Sequence, residues 1–295
     1  MRELCITVPE SLAGLTVGKT LQRGLHLPSG YISRVKFRPD GIRLNGERVN
    51  TGRIVRAGDE LMVQIGDIGA RNEASPVKLP IRIVYEDEDI AVIYKSAGIV
   101  CHGVSDGEPT MANALAYEWG AEQAYHPVNR LDRGTTGLMA VAKSGFVHAR
   151  LQKMLHTDRF VREYLAVTEG IPPEEEGTVE LPLGYREGEA RPVRDVDPEG
   201  QRTRTDYRVL ETRGALSLVR LRLFTGRCHQ IRIHMAALGC PLAGDTLYGA
   251  HPTDALDRPA LHSCRLALNH PITGEALLWE EPLPEDMKML FYAAE

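Results

Sequence analysis

Apolar residues recur along the chain with two different periods, and each change of period marks an element. Between Leu12 and Leu25 they fall at helical spacing, and after a polar turn they alternate with polar residues from Gly41 to Asn50, around Asn45-Gly46. That dipeptide suits the positive φ required at both central residues of a tight hairpin, so the pattern predicts two short strands joined there. Asp59–Ile65 reads as a further strand after the Ala57-Gly58 turn. The segment Ile68–Pro80, rich in Gly, Ala, Ser, Pro and charge, breaks the periodicity and is read as a linker.

Beyond it, Ile81–Tyr94 forms two β-branched runs split by the acidic residues Glu86–Asp89, a strand, turn and strand. Strands are also predicted at Gly137–Ala142, Phe160–Thr168, Thr205–Leu210 and Leu216–Phe224. Helical spacing returns at Val147, Leu151, Met154 and Leu155, and at Ile231, Met235 and Leu238, where Gly239 supplies a C-cap. Strands outnumber helices and come in antiparallel-looking pairs, which predicts an α+β fold on a mixed, largely antiparallel sheet, preceded by a small αβ domain. The expected domains are 1–67 and 81–295, joined by a linker at 68–80.

Composition narrows the class. The formal net charge is −5, but residues 1–80 hold 12 Lys+Arg against 8 Asp+Glu, leaving −9 for the remainder. A basic front module on an acidic body fits an appended nucleic-acid-binding domain as well as an ordinary solvated surface. No run approaches the length of a membrane span, and the N-terminus lacks a basic-then-apolar leader, so a cytoplasmic location without membrane attachment is expected. The five scattered cysteines include no C-x-x-C pair. His126, His229, His234, His262 and His270 stand at no metal-ligand spacing such as H-E-x-x-H, so no metal is expected.

The segment carrying chemistry is His126–Ser144, HPVNRLDRGTTGLMAVAKS, in which Asp132 stands between Arg130 and Arg133 ahead of a Gly/Thr-rich turn. Flanking cations favour an ionised carboxylate, suited to a nucleophile or base; the same residues could form a structural Arg–Asp network. This segment resembles the R-L-D motif of the RluA-type pseudouridine synthases. Further blocks resembling that family follow in its order: 83–102, VREYLAV at 161–167, TGRCHQIRIHMAALGCPLAGDTLYG at 225–249, and 258–286. The chain departs from it at Asn129, usually His, and at Ser96, usually Pro.

The resemblance implies an RNA isomerase with Asp132 as its essential carboxylate and no cofactor. Arg130 would fill the space left by a flipped uridine, Tyr164 would pack on the uracil and serve proton transfer at C5, and Arg232 would be the ion-pair partner of Asp132. Alternation along 160–168 independently puts Tyr164 on the face opposite Leu165 and Val167. The front module, SRVKFRPDGIRLNGERVNTGRIVRAGDELMV, resembles the small RNA-binding domain named after ribosomal protein S-four, which makes Arg34, Lys36 and Arg38 RNA contacts. The expected partner is structured RNA, ribosomal RNA favoured over transfer RNA, with the enzyme a monomer. The alternatives are a catalytically silent RNA-binding or RNA-folding factor, which would have no need to keep Asp132, Tyr164 and Arg232 together, and a glycoside hydrolase, which would need a second carboxylate near Asp132.

Overall fold

A computed structural model describes residues 2–67, 72–101, 107–186 and 193–294. Its Cα packing divides the chain into two units, Met1–Ala70 with Ser144–Phe146, and Arg71–Lys143 with Val147–Glu295. Of the segment expected as a linker, 68–71 lie outside the described residues. Residues 72–80 run against the second unit, where the Asn72 amide donates to Ala121 O, its side chain to Ala112 O, and the Val77 N–H to Asn113 O.

The first unit comprises β1 (Arg2–Thr7), α1 (Val17–Gly24), α2 (Ser29–Val35), β2 (Ile42–Leu44), β3 (Glu47–Arg48) and β4 (Glu60–Ile65). Its antiparallel sheet has the order β1-β4-β2-β3. Asn45 and Gly46 both take positive φ, 51° and 83°, and make the expected hairpin turn. The helix is shorter than its periodicity suggested. Gly14 at φ 79° breaks the run, and α1 starts only where the Thr16 hydroxyl accepts from Lys19 N–H.

The second unit contains, in chain order, β5 (Ile81–Glu86), β6 (Ile90–Lys95), α3 (Met111–Trp119), β7 (His126–Pro127), β8 (Thr136–Ala142), α4 (Gly145–Met154) and β9 (Phe160–Glu169). There follow β10 (Glu176–Val179), β11 (Leu183–Tyr185), β12 (Arg194–Val196), β13 (Thr205–Arg213), β14 (Leu216–Leu223), α5 (Gln230–Ala237), β15 (Leu261–Asn269), β16 (Ala276–Glu280) and α6 (Glu285–Tyr292). One mixed sheet runs β10-β13-β14-β9-β15-β8-β6-β5, with β16 on β15 and β7 on β8; only β8 and β15 pair in parallel. The α+β expectation is met.

All seven residues of β8 are buried, as befits a central strand covered on both faces. On one face of the sheet Tyr164, Ala166, Leu221 and Met139 pack with Leu115 of α3 and with Ile231 and Met235 of α5. On the other, Leu165, Val167 and Leu218 pack with Met287 and Phe291 of α6. Each such large side chain removed from water stabilises the fold by about 1.5–3 kcal/mol. Gly137, at φ 108°, lets β8 approach β15, since a Cβ there would lie 2.2 Å from Ser263 O. The close approach sets the strand that follows the Asp132 loop against the strand beside Tyr164.

Candidate active site

The loop between β7 and β8 carries Arg130 and Asp132, and four buried groups hold its backbone. Asn129 accepts from Ala140 N–H at 2.8 Å, and the Cys101 thiol lies 3.2 Å from Leu131 O. Arg258, buried and ion-paired with Asp286, donates to Gly134 O. Lys95, the largest fully buried side chain among the described residues, spends its three donors on Ser96 O, Ile99 O and Arg133 O. Burial pulls the Lys95 pKa down, to about 8, with Cys101 and Asp132 pulling the other way and Arg258 adding to the fall. Three carbonyl acceptors match the three N–H donors of an ammonium, so below that pH the charged form clamps the loop one residue past Asp132.

Asp132 emerges partly exposed into a cleft open to solvent. Arg130, Tyr164, His229, Gln230 and Arg232 line the same cleft, so the structure brings together all three side chains expected to serve catalysis. Arg130 is exposed and pairs with no other side chain among the described residues. Tyr164 rises from β9 in the middle of the sheet. Its pKa is raised, chiefly by burial and further by the charge of Asp132, against the opposing effects of Arg162 and Ser263, so the phenol keeps its proton at neutral pH.

Arg232 projects from α5, whose first turn is fixed by Gln230. The Gln230 amide donates to Arg204 O and Thr205 Oγ1, while its oxygen accepts from Thr225 and from Arg227 N–H. The expected ion pair is present at 3.8 Å, from Arg232 Nη1 to Asp132 Oδ2, but it is the weaker of two. Asp245 takes the fork, accepting from Nε and Nη2 at 2.6 Å each. Tyr248 lies under the guanidinium, 5.0 Å from ring centroid to Cζ. Burial alone would lower the Arg232 pKa; the hydrogen bonds and charge of Asp245, with Asp132 adding, leave it raised.

A family model described as RNA pseudouridylate synthase matches residues 89–237, a stretch that includes Asp132, Tyr164 and Arg232. With it, an uncharacterized RNA pseudouridine synthase of Bacillus subtilis (strain 168) is 34% identical over 297 residues, covering 97% of this chain and 98% of the relative. The chain belongs to the RNA pseudouridylate synthase family. Ribosomal large subunit pseudouridine synthase D of Yersinia pestis is 36% identical, across 99% of this chain and 94% of its own length. Among solved structures, human RNA pseudouridylate synthase domain containing 4 superposes with a TM-score of 0.57 at 25% identity, covering 70% of this chain and 90% of that one.

In this synthase the residues that sequence reasoning missed are those that hold the expected ones. Asp245 had a signal, being the only carboxylate between residues 225 and 253. Lys95 and Arg258 lie inside the family-like blocks at 83–102 and 258–286, but their hydrogen bonds to the carbonyl oxygens of the Asp132 loop leave no pattern in a linear sequence. Nor could spacing along the chain place Cys228, His229 and Asp132 together, yet a donor atom of each lies within 4.8 Å of the others.

The N-terminal basic residues divide. Arg34 and Lys36 are exposed on and just after α2, with Lys36 Nζ 4.8 Å over the exposed Phe37 ring. Arg38 instead turns inward and donates to Gly66 O at 3.0 Å.

Proposed function

We propose that this enzyme isomerises uridines of large-subunit ribosomal RNA, with Asp132 as the essential carboxylate, working as a cytoplasmic monomer without a cofactor. Among the described residues no helix is long and apolar enough to cross a membrane. Support for the RNA class comes from the similarity to the ribosomal large subunit synthase of Yersinia pestis, over nearly the full length of both chains. The observation that carries the catalytic reading is the partly exposed Asp132 carboxylate in one cleft with Tyr164 and Arg232.

The reaction breaks the bond from ribose C1′ to uracil N1, turns the base, and joins C1′ to C5; the hydrogen on C5 leaves and N1 gains one, so nothing is added or lost. A uridine within folded RNA must first leave its stack, and the Arg130 guanidinium, exposed and without a side-chain partner among the described residues, would fill the gap. An ionised Asp132 serves either as nucleophile at C1′ or as the base that takes the C2′ proton on a glycal-like path. Arg232, 3.8 Å away, orients that carboxylate in the cleft. The Tyr164 ring supports the uracil face, and its hydroxyl serves proton transfer at C5.

Arg34 and Lys36, with Phe37 under the Lys36 ammonium, form the exposed basic and aromatic patch through which the first unit would hold RNA. Pseudouridine mapping of large-subunit ribosomal RNA, in cells with and without the gene, tests the reading. Loss of one or more sites without the gene, restored by the parent and not by Asp132→Asn, is the expected result. An unchanged map would refute the assignment of ribosomal RNA.

A further inference from the structure

We propose that the catalytic cleft contains a zinc-class cation site formed by Asp132, Cys228 and His229, whose occupation blocks the enzyme reversibly. Binding itself needs only the three donors; the block rests on the role given to Asp132 above.

One donor atom from each residue already lies within 4.8 Å of the other two. Tetrahedral zinc with its usual bonds to sulfur, nitrogen and oxygen sets such atoms roughly 3.4–3.6 Å apart, so side-chain rotations of about an ångström would close the shell. A thiolate, an imidazole and a carboxylate are a donor set typical of zinc, and three protein ligands leave a fourth position for water or an RNA oxygen.

The hydrogen bonds around His229 favour this occupant. Tyr248 donates its single hydroxyl proton to Arg194 O at 2.9 Å, so at the 2.9 Å contact with His229 Nδ1 the imidazole must be the donor. A neutral imidazole with its proton on Nδ1 keeps a lone pair on Nε2. An imidazole whose second nitrogen donates to a fixed acceptor is the arrangement common among histidine metal ligands. Cys228 is exposed, which gives a cation direct access from solvent.

Arginines nearby, Arg130, Arg194 and Arg232, oppose a cation, but Arg232, 3.8 Å from Asp132, is already paired with the buried Asp245 carboxylate. Thiolate and carboxylate together then match the charge of the metal.

The other cluster of this kind, Asp87, Asp89 and His270, is built differently. His270 Nδ1 accepts from the Ile272 and Thr273 amides, so its proton sits on Nε2 and faces the two carboxylates. That nitrogen stands 3.1 Å from Asp87 and 3.7 Å from Asp89 and presents no lone pair to the carboxylates.

The test uses the full chain, with Zn²⁺ for calorimetry and inhibition and Co²⁺ as the spectroscopic probe, in a buffer that does not chelate. One equivalent of Co²⁺ should give a thiolate-to-metal charge-transfer band, absent in Cys228→Ser. Zn²⁺ should inhibit the parent, with activity restored by a chelator. Cys228→Ser should keep its basal rate but bind Zn²⁺ at least about tenfold more weakly, and Tyr248→Phe, which removes the acceptor behind His229, should weaken it by about 10–100-fold. A parent without the charge-transfer band, or a Cys228→Ser variant with unchanged Zn²⁺ affinity, would overturn the site. Metal bound through Cys228 without any loss of activity would leave the site standing and overturn the block. Because calorimetry and cobalt spectra read binding without turnover, failure of the catalytic reading of Asp132 would be seen separately.

Discussion

Arg232 gives its two shortest hydrogen bonds, both 2.6 Å, to Asp245 and faces Asp132 at 3.8 Å with its remaining nitrogen. The expected pair is therefore one side of a triad in which a buried carboxylate sets the position of the cation that a more exposed carboxylate uses. A bidentate fork fixes both the location and the plane of a guanidinium, which one contact at 3.8 Å cannot do.

Replacing Asp245 by Asn should leave the Arg232 charge buried without its main partner. Breaking a buried pair in this way costs about 3–5 kcal/mol, read as a lower midpoint in urea denaturation. In the fraction that remains folded, kcat should fall by about tenfold or more while RNA affinity stays near the parent's. Unchanged stability and kcat would show that Asp245 does not position Arg232.

Lys95 makes activity depend on pH. Its folded pKa, near 8, lies below the ordinary value of 10.5, so the unfolded chain holds the proton between these limits and the lysine contributes stability as pH rises from about 8 to 10.5. Activity should move the opposite way, because a neutral amine has only two N–H donors for the three carbonyls that pin the Asp132 loop. A rate falling above about pH 8 while the Lys95 contribution to the melting temperature rises is the expected outcome. Rate and melting temperature falling together would indicate general unfolding instead.

Much of this was legible in the sequence, for identifiable reasons. Tyr164 could be placed because β9 alternates cleanly, with Tyr164 and Ala166 on one face and Leu165 and Val167 on the other. The hairpin at Asn45-Gly46 was readable because positive φ demands particular residues. By contrast, β15 hid because His262 and Ser263 are buried by hydrogen bonds to Thr136 and Leu138 O, so polar letters stand at core positions. The short strands β10, β11 and β12 hold three or four residues each, too few for a period to show. Asp245 stood out as the only carboxylate between residues 225 and 253, but its fork on Arg232, 13 positions away, belongs to tertiary structure.

Tyr164→Phe separates packing from proton transfer. The ring remains, so RNA affinity should be kept, while the single-turnover rate should fall at a step after glycosidic cleavage. An unchanged single-turnover rate would leave Tyr164 as a packing residue alone.

The basic residues of the first unit should behave unequally. Arg34→Ala with Lys36→Ala should lower the log–log salt dependence of RNA binding by roughly 1.4–1.8, at about 0.7–0.9 per phosphate contact. Arg38→Ala should change that slope little and instead cost about 1.5 kcal/mol of stability, because its guanidinium is held by Gly66 O. A double variant with the parent's slope would show that the patch does not contact phosphate.

The most direct measurement of the central claim is release of tritium from C5-labelled uridine in RNA by Asp132→Asn. The amide keeps the shape of the carboxylate but neither attacks the sugar nor takes a proton, so release should drop by several powers of ten while circular dichroism and RNA binding match the parent. Release within about tenfold of the parent by a folded Asp132→Asn protein would contradict the assignment of Asp132 as the essential carboxylate.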